Sequence, residues 1–296
     1  MTPLLFGSGA RRLFGIYESG RASSRAARAA VLCNPWGQEY IRAHRSMRLL
    51  AKALAGSGRD TLRFDYYGTG DSAGDMVDAD LAGWERDIEE AIDEIQSTSG
   101  GPRVTLLGLR LGGSLAARVA ARRQRDVESL VLWDPVISGR RYLQELHTME
   151  ETLAATWPGP VASRCRDGRE ILGFTMTTAL AAEIEAFDLL PIVAGLSTRR
   201  LTLVSRLSSP FVDLTKSLEQ RPDNVLAIER LSCPPPWIED RHTGAGAVPV
   251  GTAGAARRRA RPVLRRVLRD LRARQRRGDR AGAPPVPRPV ALPPGA

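Results

Sequence analysis

The residues that could do chemistry are concentrated around Gly108-Leu109-Arg110-Leu111-Gly112. A short apolar run precedes them and a helical pattern follows. Glycines two before and two after a central residue let the backbone bend sharply between strand and helix, and that turn presents a nucleophile when its centre is serine. Here the centre is Arg110, a permanently protonated guanidinium that cannot attack a carbonyl. Ser114 lies one helical turn further on, too far along the helix axis to replace it, and reads as a small packing residue. The other members of a nucleophilic triad would follow later in the chain, acid first and base last. His242, in Glu239-Asp240-Arg241-His242-Thr243-Gly244, lies where the base is expected; the alternative is a solvated loop histidine. The usual acid position falls on Ser209, and Asp213 reads as part of the next helix. Asp134 is a second candidate acid, or simply an Asp–Pro turn closing a strand. Trp36 and Gly37, in the loop 34–40, are placed to give a backbone donor to an oxyanion, Gly37 allowing close approach. Losing the nucleophile leaves residual catalysis on the order of 10³–10⁴-fold over water in the serine-protease template, so ordinary serine-ester or peptide hydrolysis is not expected.

These residues need a scaffold of alternating strands and helices. Residues 11–18 form a plausible first strand, and Ala29–Cys33 is an apolar run ending at the loop signal Asn34-Pro35-Trp36-Gly37. A helical pattern covers 43–56 and a strand 61–65, followed by a glycine-bearing turn with Asp65, Gly68, Gly70 and Asp71 that reads as structural. Residues 80–97 form an amphipathic helix with Leu81, Trp84, Ile88, Ala91 and Ile95 on one face. Strand 103–107 runs into the glycine turn, a helix covers 114–123, and strand 129–133 ends at Asp134. The alternation predicts an α/β fold with a mostly parallel central sheet and helices on both faces. Over 138–198 the strand signal vanishes, and the segment reads as a helical cap inserted into the sheet domain. Strands resume at 201–205 and 224–228. His44 begins a helix without an evident role as base, and His147 lies in the cap.

Charge divides the chain. Residues 251–296 contain thirteen Arg and two Asp, so they carry the whole formal net charge of +10 and one unit more. The preceding 250 residues are near neutral. Within this Arg/Ala/Pro-rich tail, 262–277 could form a basic amphipathic helix, either as the closing helix of the fold or as a binder of membrane surfaces or other polyanions. A polyanion binder would show salt dependence lost on truncation at residue 250. The remainder is expected to be disordered, and the abrupt change of composition after Gly251 also fits an out-of-frame GC-rich extension. The tail has no stacking aromatics, so specific nucleic-acid binding is not expected. No run of about 18 apolar residues is present, so no transmembrane segment is expected. The amino-terminal residues do not read as a secretory signal. Three widely spaced cysteines suggest neither a disulfide framework nor a zinc site, and a reducing cytoplasm is the expected location. No metal and no cofactor is expected.

The stretches CNPWGQEYIRAHR (33–45), LRFDYYGTGDSAGD (62–75), LLGLRLGGSLAA (106–117), LVLWDPVISGRRYLQEL (130–146) and PPPWIEDRHTGAGAVPV (234–250) resemble an α/β-hydrolase of the serine aminopeptidase S33-like branch. More narrowly they resemble hydrolases associated with the exosortase A system of exopolysaccharide-producing bacteria. The resemblance covers about residues 10–250. It implies an α/β-hydrolase fold with a helical cap, and a small-molecule acyl or glycan-linked ligand; an anionic ligand is the alternative that Arg110 suggests. It leaves two expectations for Arg110. In one, Arg110 is an anion-binding or transition-state group in a non-serine hydrolase with His242 as general base for water. In the other, the fold is catalytically dead, and a guanidinium beside a helix N-terminus binds a carboxylate or phosphate. The oligomeric state is not legible.

Overall fold

The structure, a computed structural model, describes residues 1–20, 28–101, 103–156, 167–198, 200–206, 211–219, 225–231 and 235–238. It is built on one eight-stranded sheet. The strands are β1 (Thr2–Phe6), β2 (Leu13–Glu18), β3 (Ala29–Cys33), β4 (Asp60–Phe64), β5 (Val104–Leu109), β6 (Val127–Trp133), β9 (Arg200–Arg206) and β10 (Val225–Leu231). Their spatial order is β1-β2-β4-β3-β5-β6-β9-β10. Strands β1 and β2 are antiparallel, β2 meets β4 antiparallel, and every other pairing is parallel.

The middle strands β3 and β5 are buried at every residue. Such strands carry continuous apolar runs because helices cover both faces of a parallel sheet. On one face α1 (Gly37–Ala55) packs with Ala43, Met47, Leu50 and Leu54 against Ala30, Leu32, Leu107 and Leu109. On the other, α2 (Leu81–Ser99) and α3 (Leu111–Arg122) pack over Val31, Leu106 and Leu130. Asp80 caps α2 by accepting the Gly83 N–H at 2.5 Å, and Gly100 ends it in a left-handed conformation. Both are ordinary helix-terminus devices.

Between β6 and β9 the described residues form α4 (Gly139–Thr156), β7 (Gly168–Ile171), β8 (Phe174–Thr177), α5 (Thr178–Glu185) and α6 (Leu189–Ala194). The segment expected to be a helical cap without strands therefore also holds a two-stranded hairpin, joined by Leu172 and Gly173 at positive φ. The strands are four residues each and half polar, too short for a period of two to stand out. Two other differences concern edges. Strand β1 precedes the first expected strand, and α1 begins at Gly37, well before residue 43. The Asn-Pro-Trp-Gly signal is the entry to that helix: Trp36 is its N-cap and Gly37, at φ 60°, its first residue. After β9, α7 (Val212–Glu219) leads toward β10. The tail 251–296, with its possible helix 262–277, lies outside the described residues.

Candidate functional site

The turn from β5 into α3 has the sharp geometry its glycines suggest. Arg110 has φ 52° and ψ −125°, a conformation that costs a non-glycine residue about 1–3 kcal/mol. Backbone hydrogen bonds hold it: Arg110 N–H donates to Trp133 O at 3.0 Å and Gly113 N–H to Arg110 O at 3.0 Å. The flanking glycines are needed for close approach. A Cβ on Gly112 would lie 2.1 Å from Asn34 O, and one on Gly108 would lie 2.3 Å from Gly113 Cα.

The Arg110 side chain does not reach into open space. It is 5% exposed. Its Nε donates to Glu39 Oε1 at 2.8 Å, and its Nη2 donates to Glu145 Oε2. Glu39, fully buried in the first turn of α1, also accepts the Tyr142 hydroxyl at 2.9 Å through Oε2. Tyr142 and Glu145 lie three residues apart on α4, hence on one face. The guanidinium carbon is 5.2 Å from the ring centre of Tyr142 and 5.2 Å from that of Trp237, and Arg206 lies 5.0 Å from the same Trp237 ring. All three separations are within cation–π range.

Electrostatics in this cluster are set by burial against pairing. Burial raises the Glu39 carboxyl above its usual range, although Arg110 and the Tyr142 hydroxyl oppose it. Burial and the Glu39 charge raise Tyr142 well above its ordinary value. For Arg110 burial pulls down, but Glu39 and Glu145 outweigh it and the guanidinium is held in its charged form. One cation therefore faces two carboxylates, all supplied by the chain itself.

The other expected residues are placed as follows. Ser114 is fully buried and donates to Val136 O at 2.7 Å, as a packing residue would. Asp134 is buried at the end of β6 with φ 40°. It accepts the Arg206 N–H at 3.3 Å and lies 3.6 Å from Arg206 Nε, tying the ends of β6 and β9 together. His242 and Ser209 lie outside the described residues. Asp213 is in the first turn of α7. His44 is on α1, 3.4 Å from Arg63, and partial burial and Arg63 lower its pKa. His147 is on α4. Asp65 holds the turn that follows β4, accepting the Tyr40 hydroxyl at 2.7 Å and the Asp71 N–H at 3.1 Å.

Trp36 and Gly37 meet Leu111 and Gly112 around a cavity of about 160 Å³. Its apolar wall includes Tyr66, Met76, Trp84, Leu115 and Phe174. Phe174, from the cap hairpin, meets Trp36 edge-on with ring centres 6.0 Å apart. Arg110 is not in the wall. Among the described residues, no group of three or more His, Cys, Asp or Glu side chains could hold a metal ion. No helix there is long and apolar enough to cross a membrane.

Glu39, Tyr142 and Glu145 do not stand out in the sequence as members of the site. One signal was available: a buried arginine needs carboxylates, and Glu39 lies two residues from Gly37. Nothing in the spacing of α4 singles out Glu145.

The fold and the glycine turn define an α/β-hydrolase, and comparison with known proteins narrows the class. The family model described as serine aminopeptidase, S33, matches residues 26–203, more than half of the chain, and the chain belongs to that family. Palmitoyl-protein thioesterase ABHD10, mitochondrial, of Bos taurus is 30% identical over 107 residues, covering 35% of this chain and 34% of that protein. Its Homo sapiens counterpart is 35% identical over 74 residues, covering 25% and 23%. The chain thus spans about a third or less of the length of these curated relatives. Among solved structures, proline iminopeptidase of Mycobacterium smegmatis superposes with TM-score 0.59 at 12% identity over 92% of this chain and 98% of that one. Est1E of Butyrivibrio proteoclasticus with bound ferulic acid gives 0.55 at 16% identity over 77% and 89%. At these identities the structural matches show the fold alone.

Proposed function

We propose that this chain is a hydrolase-fold protein that binds a small acyl-type ligand beside its elbow turn without forming a serine acyl-enzyme. The observation that carries this is the Arg110 cluster. The nucleophile position holds a guanidinium, buried beneath Tyr142 and Trp237 and hydrogen-bonded to Glu39 and Glu145. Such a group neither attacks a carbonyl nor leaves room for a neighbour to do so from the same point.

The same arrangement argues against Arg110 as a receptor for an anion. Its charge is already answered by two carboxylates, and an incoming carboxylate or phosphate would have to displace one of them. The geometry therefore favours a neutral ligand in the cavity over an anionic one at the elbow. It also weighs against Arg110 as a transition-state group, which would need its N–H groups aimed at the reacting oxygen. The link to exosortase-associated hydrolases is part of the proposal and rests on the sequence stretches quoted above. A cytoplasmic location is also part of the proposal and rests on the three widely spaced cysteines.

A panel of p-nitrophenyl esters tests the reading. The expected result is no turnover above the uncatalysed rate for wild type. Turnover abolished by His242→Ala would instead establish a hydrolase that uses water directly, with His242 as its base.

A further inference from the structure

The cavity between Trp36 and Phe174 is separate from the Arg110 cluster and has a chemistry of its own. Trp36 is 4% exposed, and its indole Nε1–H has no acceptor in the structure. A buried indole N–H normally finds a partner, and leaving one unpaired is costly. The wall contains no Lys, Arg or His. Its one acid, Asp65, already accepts hydrogen bonds on both oxygens, from Tyr40 and from the Asp71 backbone. An anion would thus meet a carboxylate, with no cation in the wall itself. The volume of about 160 Å³ matches a single ring; an apolar cavity of about 150 Å³ stays dry and takes up benzene. A fatty-acyl chain several times that size would not fit within it.

We propose that this cavity binds a neutral, ring-sized group carrying one hydrogen-bond acceptor, with Trp36 Nε1 donating to that acceptor and Phe174 limiting its length. The proposal deepens the function above and rests on its reading of a ligand bound beside the elbow. Its test reads occupancy rather than covalent chemistry or turnover, so the two can fail separately.

The experiment is ligand-observed NMR and calorimetry on the full chain, with phenol, benzene, benzoate, tetramethylammonium and decanol as probes. Phenol and benzene are expected to bind, and the other three are not. Trp36→Phe should weaken phenol binding about tenfold, the scale of one lost hydrogen bond, and leave benzene unaffected. Phe174→Ala should admit decanol. Leu115→Phe should fill the cavity and abolish both aromatic probes, and Trp36→Phe carries the test if that variant does not fold. No binding of phenol to wild type would overturn the proposal. Equal loss of phenol and benzene in Trp36→Phe would overturn the assigned contact. Tighter binding of benzoate or tetramethylammonium would overturn the neutral ligand, and binding of decanol to wild type would overturn the length limit.

Discussion

Arg110 Nε donates to Glu39 Oε1 at 2.8 Å, joining the elbow turn to the first turn of α1 across 71 residues of sequence. Both groups are buried, so each is the reason the other can be charged there. Removing one partner of a buried pair typically costs about 3–5 kcal/mol, because it strands the other charge. Arg110→Met is expected to lower stability on that scale, and Glu39→Gln by less, because burial already disfavours the Glu39 carboxylate and Arg110 keeps Glu145. The double variant should recover part of the loss, and denaturant unfolding of all four proteins measures the coupling.

Arg110→Ser tests whether restoring a serine is enough to restore chemistry. The side chain would no longer answer Glu39, so the variant should be destabilised by about 3 kcal/mol. It should remain inactive toward p-nitrophenyl esters, with Glu39 and Tyr142 crowding the position. Ester turnover by this variant would show that the rest of a working site is intact.

Glu145 contributes less. Its side chain is 55% exposed, against fully buried for Glu39. Solvent screens such a pair, so Glu145→Gln should cost at most about 1 kcal/mol globally. The local effect should be larger, since Glu145 anchors α4 to the sheet domain. Hydrogen exchange is expected to quicken in α4 and not in β5.

The pH dependence follows from Glu39. Its carboxyl is raised in the folded state by burial, so between the ordinary carboxylate value and the raised one the native chain binds more protons than the unfolded chain. Its contribution is therefore full below the ordinary value and declines as pH rises to the raised one. Unfolding free energy measured across that window should show this downward component, and Glu39→Gln should remove it.

Much of the fold could be read directly from the chain, because buried parallel strands leave continuous apolar runs. Ala29–Cys33 is identical in sequence and structure for that reason, and the glycine turn around Arg110 marks its own place. The hairpin β7–β8 was not legible, being short, half polar and without a turn signal beyond Gly173. The start of α1 was hidden because Asn-Pro-Trp-Gly serves equally as loop or helix entry. The loss of the serine was plain at Arg110. What the arginine does instead was not, since its partners lie 71 and 35 residues away and only folding brings them together.

The most direct test of the central claim is intact-mass analysis after incubation with a fluorophosphonate probe. The wild-type chain is expected to stay unlabelled, because the elbow presents Arg110 and the nearby Ser114 is buried and hydrogen-bonded. A single covalent adduct mapped to any serine would contradict it.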